Sequence, residues 1–192
     1  PGVWYPRFMP SSRVLITGLG PFCSLGREPK GFWKNLMEGR CRAARLASLE
    51  GCPVPMGASA GPVLGLLSPK EAKLDPCARF AIAASSIALE DAGLGKEDLP
   101  SERSGVILGS SRGAAELLER HHARFLEDGP GSVGPHASPH TTAGNLPGAL
   151  SRRFGLRGPG LFVSAACSSS AHALGLALGL IRSGKADLML AG

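Results

Sequence analysis

The sequence predicts an α/β fold built on a mainly parallel sheet that is covered on both faces. Three observations carry that expectation. Short apolar runs, each the length of one strand, recur at Arg13–Thr17, Gly105–Leu108, 161–165 and 186–190. Segments with helical periodicity lie between them, so strand and helix alternate along the chain. The runs are near-continuously apolar rather than alternating, which is the pattern of strands buried on both sides.

Taken in order, Arg13–Thr17 is expected as a buried strand that ends at Gly18-Leu19-Gly20-Pro21. Phe32, Trp33, Leu36 and Met37 fall at i, i+1, i+4 and i+5, one face of a short helix that Gly39 stops. Residues 51–69, rich in Gly and Pro, read as a surface loop. Asp75-Pro76 marks a helix start: Asp caps the amides and Pro takes the first helical position, where its missing N–H costs nothing. Phe80, Ala84, Ile87 and Ala88 are its expected buried face, and Gly93 closes it. Gly105–Leu108 follows as a strand and Ala114–Glu127 as a charged, exposed helix with an i,i+4 pair at Glu116 and Arg120. Residues 128–148 are again loop-like, leading into a short helix over Pro147–Phe154. Strand 161–165, helix 168–183 and strand 186–190 complete the series. The helix over 168–183 has almost no polar face before Arg182, which predicts burial on all sides. Its Gly and Ala residues allow close approach of neighbouring backbones.

Composition narrows the function classes. At 192 residues the chain can bury a core as one domain, expected over 13–192, with residues 1–12 an unstructured lead and Met9 a plausible start. The chain stops just after a strand pattern, which reads as truncated or split. The net charge of +6 suits an acidic partner, but there is no basic tail with interleaved aromatics, so nucleic acid is not expected. The cysteines (Cys23, Cys41, Cys52, Cys77, Cys167) are odd in number and widely spaced, with no Cys-x-x-Cys pair. That pattern suggests neither a disulfide framework nor a metal site and points to a reducing cytoplasm. The most apolar stretch, Leu161–Ile181, is interrupted by Ser164, Ser168–Ser170 and His172, so a membrane span is not expected.

The chemistry centres on Cys167, where the apolar run Leu161-Phe162-Val163 gives way through Ser164-Ala165-Ala166 to Ser168-Ser169-Ser170 and a helix. A strand that bends sharply into a helix leaves one side chain exposed at the bend. The first helical turn offers unpaired amides and the positive end of a dipole, surroundings that favour a thiolate. Such a sulfur can attack a thioester and hold the acyl group. On position alone, a buried structural cysteine is equally consistent. Gly18-x-Gly20 lacks the third glycine of a dinucleotide loop, because Cys23 stands there and Pro21 lies where the helix would begin. His172, five residues past Cys167, points about 140° away around a helix and reads as a core or interface residue rather than the thiol's base. His121 and His122 are expected in solvent, and His136 and His140 in a loop.

Val163-Ser164-Ala165-Ala166-Cys167-Ser168-Ser169-Ser170-Ala171-His172-Ala173-Leu174, with Lys185-Ala186-Asp187-Leu188-Met189-Leu190-Ala191-Gly192 after it, resembles the active-site segment of β-ketoacyl synthases. Val14-Leu15-Ile16-Thr17-Gly18-Leu19-Gly20 and Arg153-Phe154-Gly155-Leu156-Arg157-Gly158-Pro159 are similar to further segments of that family, in its order. The resemblance implies a thiolase-like layered αβαβα fold of two similar halves, of which this chain is the N-terminal half only. It implies a condensing enzyme of fatty-acid or polyketide synthesis with Cys167 as acyl acceptor, no cofactor, and no metal. In the family, two histidines and a lysine from the second half serve the decarboxylative step, and a second-half amide completes the oxyanion hole. None of those motifs occurs here.

The resemblance also places Arg112, in Gly109-Ser110-Ser111-Arg112-Gly113, at an acyl-pocket turn, where the family commonly has a small or apolar residue. Either Arg112 points elsewhere or the bound chain is not a plain alkyl one. Thr141 and Thr142 fall where the family builds pocket wall and dimer contact, and a simple Ser/Thr-rich turn fits as well. Lys70 and Lys73 precede the Asp75-capped helix, where the family meets its acidic acyl carrier protein; the clusters Arg40/Arg42/Arg45 and Arg152/Arg153/Arg157 are alternatives. The implied partners are that carrier and a second synthase-like subunit, as a homodimer or heterodimer. Two other readings stay open: a non-catalytic or split half acting as a scaffold subunit, and a thiolase-type acyltransferase.

Overall fold

A computed structural model describes residues 13–192 other than Leu64, so the expected lead over 1–12 lies outside the described residues. In chain order the elements are α1 (Pro29–Met37), β1 (Ala44–Arg45), β2 (Met56–Gly57), α2 (Pro76–Asp91), β3 (Ser104–Gly109), α3 (Ala115–Asp128), α4 (Ala137–Thr141), α5 (Asn145–Phe154), β4 (Gly160–Val163), α6 (Ser169–Arg182) and β5 (Leu188–Ala191). β4, β3 and β5 form a parallel sheet in the order β4-β3-β5, with Gly109 opposite Val163 and Val106 opposite Leu190.

The strand pleat divides the interior in two. Val106, Leu108, Leu188 and Leu190 turn to one face and meet Ile82 and Leu89 of α2 and Leu150 and Phe154 of α5. Ile107, Met189, Ala191 and Val163 turn to the other, against Ala173 and Ala177 of α6. The result is helix on sheet on helix. The bidentate pair from Arg103 to Asp187, at 2.6 and 2.7 Å, and a third bond from Arg103 to the Gly184 carbonyl join the start of β3 to the turn before β5.

The α2 start is as expected: Asp75 accepts from the Cys77 amide at 2.8 Å. Its second oxygen accepts the Leu117 amide at 2.9 Å, which ties the starts of α2 and α3 together. The face assigned to α2 needs correction. Ala78, Ile82, Ala83 and Leu89 are buried, whereas Phe80 is exposed and Ala84, Ile87 and Ala88 are half-buried. The helix is apolar on two sides, and the second side carries residues 18–20 rather than the sheet. A Cβ at Gly18 would run into the Ala88 carbonyl oxygen, and one at Gly20 into that of Ala84. Close backbone approach to α2 is therefore what these glycines provide.

The same packing corrects the expected first strand. Residues 13–20 form no strand among the described residues, and Leu15 and Ile16 are 66% and 78% exposed. The segment is held to α2 instead, with the Leu19 amide donating to Asp91 at 2.9 Å. α1 forms where expected but buries none of its residues. α6 buries only Ser169, Ala173 and Ala177, and Leu174 and Leu176 are exposed, because no described layer covers its outer face. Two elements fall within the expected loops: β2, which pairs antiparallel with β1 just before the first loop, and the five-residue α4 in the second.

Candidate functional site

The site grows from the end of the parallel sheet. β4 stops at Val163, and the chain turns through Ser164–Ser168 into α6, which starts at Ser169. Ala166, just before the candidate nucleophile, has φ 50°, the left-handed region that disfavours residues with a Cβ by about 1–2 kcal/mol. Strain of this kind persists only where surrounding contacts impose it. The buried hydroxyl of Ser169 supplies two of them: it donates to the Ala166 carbonyl at 2.7 Å and accepts the Ala165 amide at 2.9 Å. The Ser168 hydroxyl adds a bond to the Ala165 carbonyl at 2.7 Å.

Cys167 sits at the tip of this bend and is exposed. Among the described residues nothing buries that thiol. No side-chain cap occupies the start of α6, which leaves the amide end of the helix next to the sulfur's residue. His172 is exposed rather than in a core, and its Nδ1 lies 2.9 Å from the Ser168 carbonyl, turned to its own backbone. His121 is half-buried with an unpartnered Nδ1, so only His122 of that pair is in solvent as expected.

The sheet end presses against the bend from beneath. Gly109 and Ser110 are held by β5 and β4 through bonds from the Gly109 amide to the Gly192 carbonyl, 2.7 Å, and from Ser110 to Val163, 3.1 Å. A Cβ on Gly109 would lie 2.6 Å from the Ser170 nitrogen and nearer still to the Ser169 carbonyl. Sequence reasoning missed both Gly109 and Ser169. Three consecutive serines look interchangeable on the page, and only burial separates the middle one from its exposed neighbours.

The turn carrying Arg112 adjoins the same bend, since the Ser164 hydroxyl reaches the Ser111 carbonyl at 3.4 Å. Arg112 itself is exposed. Thr141 and Thr142 use their hydroxyls locally, on the carbonyls of Ala137 and Ser138, both at 2.8 Å. An apolar cleft of about 970 Å³ runs between residues 14–20, the 80/84/88 face of α2, α6 and β5; Arg112, Thr141 and Thr142 do not line it. Lys70 and Lys73 are exposed around the turn before α2. Burial would raise the carboxyl of Glu71 between them, but the amide and hydroxyl of Ser68, with Arg153, hold it below its ordinary value. Glu71 is thus engaged inward, and both lysines face solvent. Half-buried Cys77 lines the cleft, and burial pushes its thiol up against the opposing bond with Ser110.

Among the described residues no group of three or more His, Cys, Asp or Glu side chains is placed to hold a metal ion, and no helix is long and apolar enough to cross a membrane.

Comparison with known proteins gives this geometry its relatives. The 3-oxoacyl-[acyl-carrier-protein] synthase 2 of Vibrio cholerae is 35% identical over 190 residues, covering 96% of this chain and 46% of that protein. Nodulation protein E of Rhizobium sp. (strain N33) is 33% identical over 188 residues, covering 94% and 46%. The chain spans about half the length of the relatives it matches. Among solved structures, the ishigamide ketosynthase/chain length factor superposes with a TM-score of 0.84 over 95% of this chain and 47% of that one, at 24% identity. A β-ketoacyl synthase from Burkholderia phymatum STM815 superposes with a TM-score of 0.77 over 92% and 45%, at 28% identity. The expected thiolase-like α/β fold is borne out by these neighbours. The family model described as "Beta-ketoacyl synthase, N-terminal domain" matches residues 11–192, nearly the whole chain, and by that match the chain belongs to the β-ketoacyl synthase family.

Proposed function

We propose that this chain carries the acyl-accepting cysteine of a condensing enzyme of fatty-acid or polyketide synthesis, and that Cys167 is that residue. The observation that carries the reading is the exposed Cys167 on a strained bend at the amide end of α6. In the first step the Cys167 thiolate attacks the carbonyl carbon of an acyl-carrier thioester. The carbon–sulfur bond to the carrier breaks, the carrier leaves as its thiol after taking up a proton, and the acyl group stays on Sγ. In the second step malonyl-carrier loses carbon dioxide and its carbanion attacks the Cys167 thioester. Cys167 is released as a thiolate, and the 3-oxoacyl group remains on the second carrier. The relatives named 3-oxoacyl-[acyl-carrier-protein] synthase suggest this carrier chemistry. We assign the decarboxylative step to groups beyond the half of the family matched here, so the chain alone is expected to be inactive in condensation.

Lys70 and Lys73 are the proposed contacts for the acidic carrier, supported by their exposure and by the inward engagement of Glu71. Arg112 is proposed for the rim of the acyl site, beside the bend, where a solvent-facing cation carries little desolvation cost. Thr141 and Thr142 are proposed for a subunit contact, with a second synthase-like chain as the partner, in a cytoplasmic enzyme.

The test is mass spectrometry of the protein after incubation with an acyl-carrier thioester. One acyl mass on the peptide bearing Cys167, absent in Cys167→Ala, is the expected result. An adduct that survives in Cys167→Ala, or no adduct in the parent protein even with the complementary half supplied, overturns the reading.

A further inference from the structure

The acyl-transfer reading of Cys167 leaves open what holds the sulfur in place, and the inference below rests on that reading. Ser168, Ser169 and Ser170 follow Cys167 directly, yet their surroundings differ. Ser169 is 3% exposed, whereas Ser168 and Ser170 are exposed. The Ser169 hydroxyl accepts the amide of Ala165 and donates to the carbonyl of Ala166, so it bonds the chain on both sides of the one described non-glycine residue with positive φ. The Ala166 carbonyl also receives the Ser169 amide at 3.3 Å. From below, the backbone of Ser169 rests on Gly109, where there is no room for a Cβ.

We propose that Ser169 is a positioning residue: its hydroxyl clamps Ala166 in the left-handed conformation, seated on Gly109, and thereby aims Cys167 out of the bend at the amide end of α6. Without the clamp, the bend keeps only the Ser168 hydroxyl and the Ser168 and Ser169 amides on the Ala165 and Ala166 carbonyls. These are too little to offset the steric preference of Ala166 for negative φ, and the turn relaxes toward ordinary extended or helical backbone. Cys167 then remains solvent-exposed but swings away from the direction in which a thioester must meet it. Acyl transfer depends on that direction, since a misplacement near 1 Å costs on the order of 100-fold in a reaction that needs alignment. Alkylation by a small freely diffusing reagent needs no such alignment and follows the exposure and thiolate character of the sulfur.

The experiment compares two reactions at one sulfur in Ser169→Ala: acylation by an acyl-carrier thioester and alkylation by iodoacetamide, both followed on the peptide carrying Cys167. Exposed Cys41 and Cys52 are internal references for reagent, and half-buried Cys77 reports loss of structure by becoming alkylated faster. The expected result is an acylation rate lowered at least tenfold, with Cys167 alkylation within twofold of the parent and Cys77 protection kept. Adding Ala166→Gly to Ser169→Ala removes the penalty at positive φ and is expected to restore much of the acylation. A residue that merely fills space would not be rescued by a more flexible neighbour. If Ser169→Ala loses Cys77 protection, the double variant becomes the deciding measurement, and its failure to recover acylation overturns the proposal. Equal acylation of the parent and Ser169→Ala overturns the positioning role while the acyl-transfer reading stands. A parent that stays unacylated even with the complementary half supplied overturns that reading, and the positioning role falls with it.

Discussion

Asp75 shows how much one side chain can organise here. It is 4% exposed, and its two oxygens take amides from two helices, Cys77 of α2 and Leu117 of α3. Asp75→Ala removes a helix cap and leaves a buried amide without a partner. The two effects together are expected to cost about 2–3 kcal/mol. Thermal unfolding of the protein should shift down by roughly 5–10 °C, and a shift under two degrees would show that water replaces both bonds. The cap was legible in the sequence because Asp-Pro has a local meaning. The second bond was not, since Leu117 lies 42 residues away. Cys167 was legible as the hinge of strand and helix, whereas Ser169 and Gly109 were hidden because their roles exist only once β3 and α6 meet.

At the scale of elements, the alternation of strands and helices was readable because buried strands and helices differ in period and length. The errors fell on faces. α2 is apolar on two sides, so nothing local says which of them meets the sheet, and the 80/84/88 side, which reads as a core face, carries residues 18–20. The first apolar run met every local criterion for a strand, but pairing is a property of its neighbours.

The Arg103–Asp187 pair is an element-scale contact with a pH signature. Bonds from Arg103, then its charge, outweigh desolvation and hold the Asp187 carboxyl below its ordinary value. The folded carboxyl therefore binds its proton less tightly than the unfolded one does. Any stabilisation from the pair is present above the unfolded value of about 4 and is lost as pH falls through the lowered folded value. Both partners are exposed, so the effect is small and sensitive to salt. Urea unfolding of the parent and Asp187→Asn should differ by a constant amount from pH 5 to pH 7, and the difference should close in acid below about pH 4. A difference that persists in acid would assign the effect of the substitution to something other than charge.

For the whole molecule, the sheet separates a larger core, on the α2 and α5 side, from a smaller one against α6. Leu15, Ile16, Leu174 and Leu176 all remain exposed, and the cleft beside β5 is largely apolar. A surface of this kind binds amphipathic dyes. The chain as described here is expected to enhance anilinonaphthalene sulfonate fluorescence while its near-UV circular dichroism stays that of a packed protein, and Leu15→Ser with Ile16→Ser should weaken the enhancement. No enhancement would mean that this surface is covered in solution.

The pairing of Gly109 with Val163 has a further consequence. The ladder between the two parallel strands acts as a ruler for the reactive thiol. Sliding β4 along β3 by two residues would keep every side chain on its proper side of the pleat, yet carry the bend about 6.6 Å along the strand direction. Gly109 would then support empty space instead of the first turn of α6. The reach of Cys167 is thus measured out by hydrogen bonds between two strands, neither of which contains it.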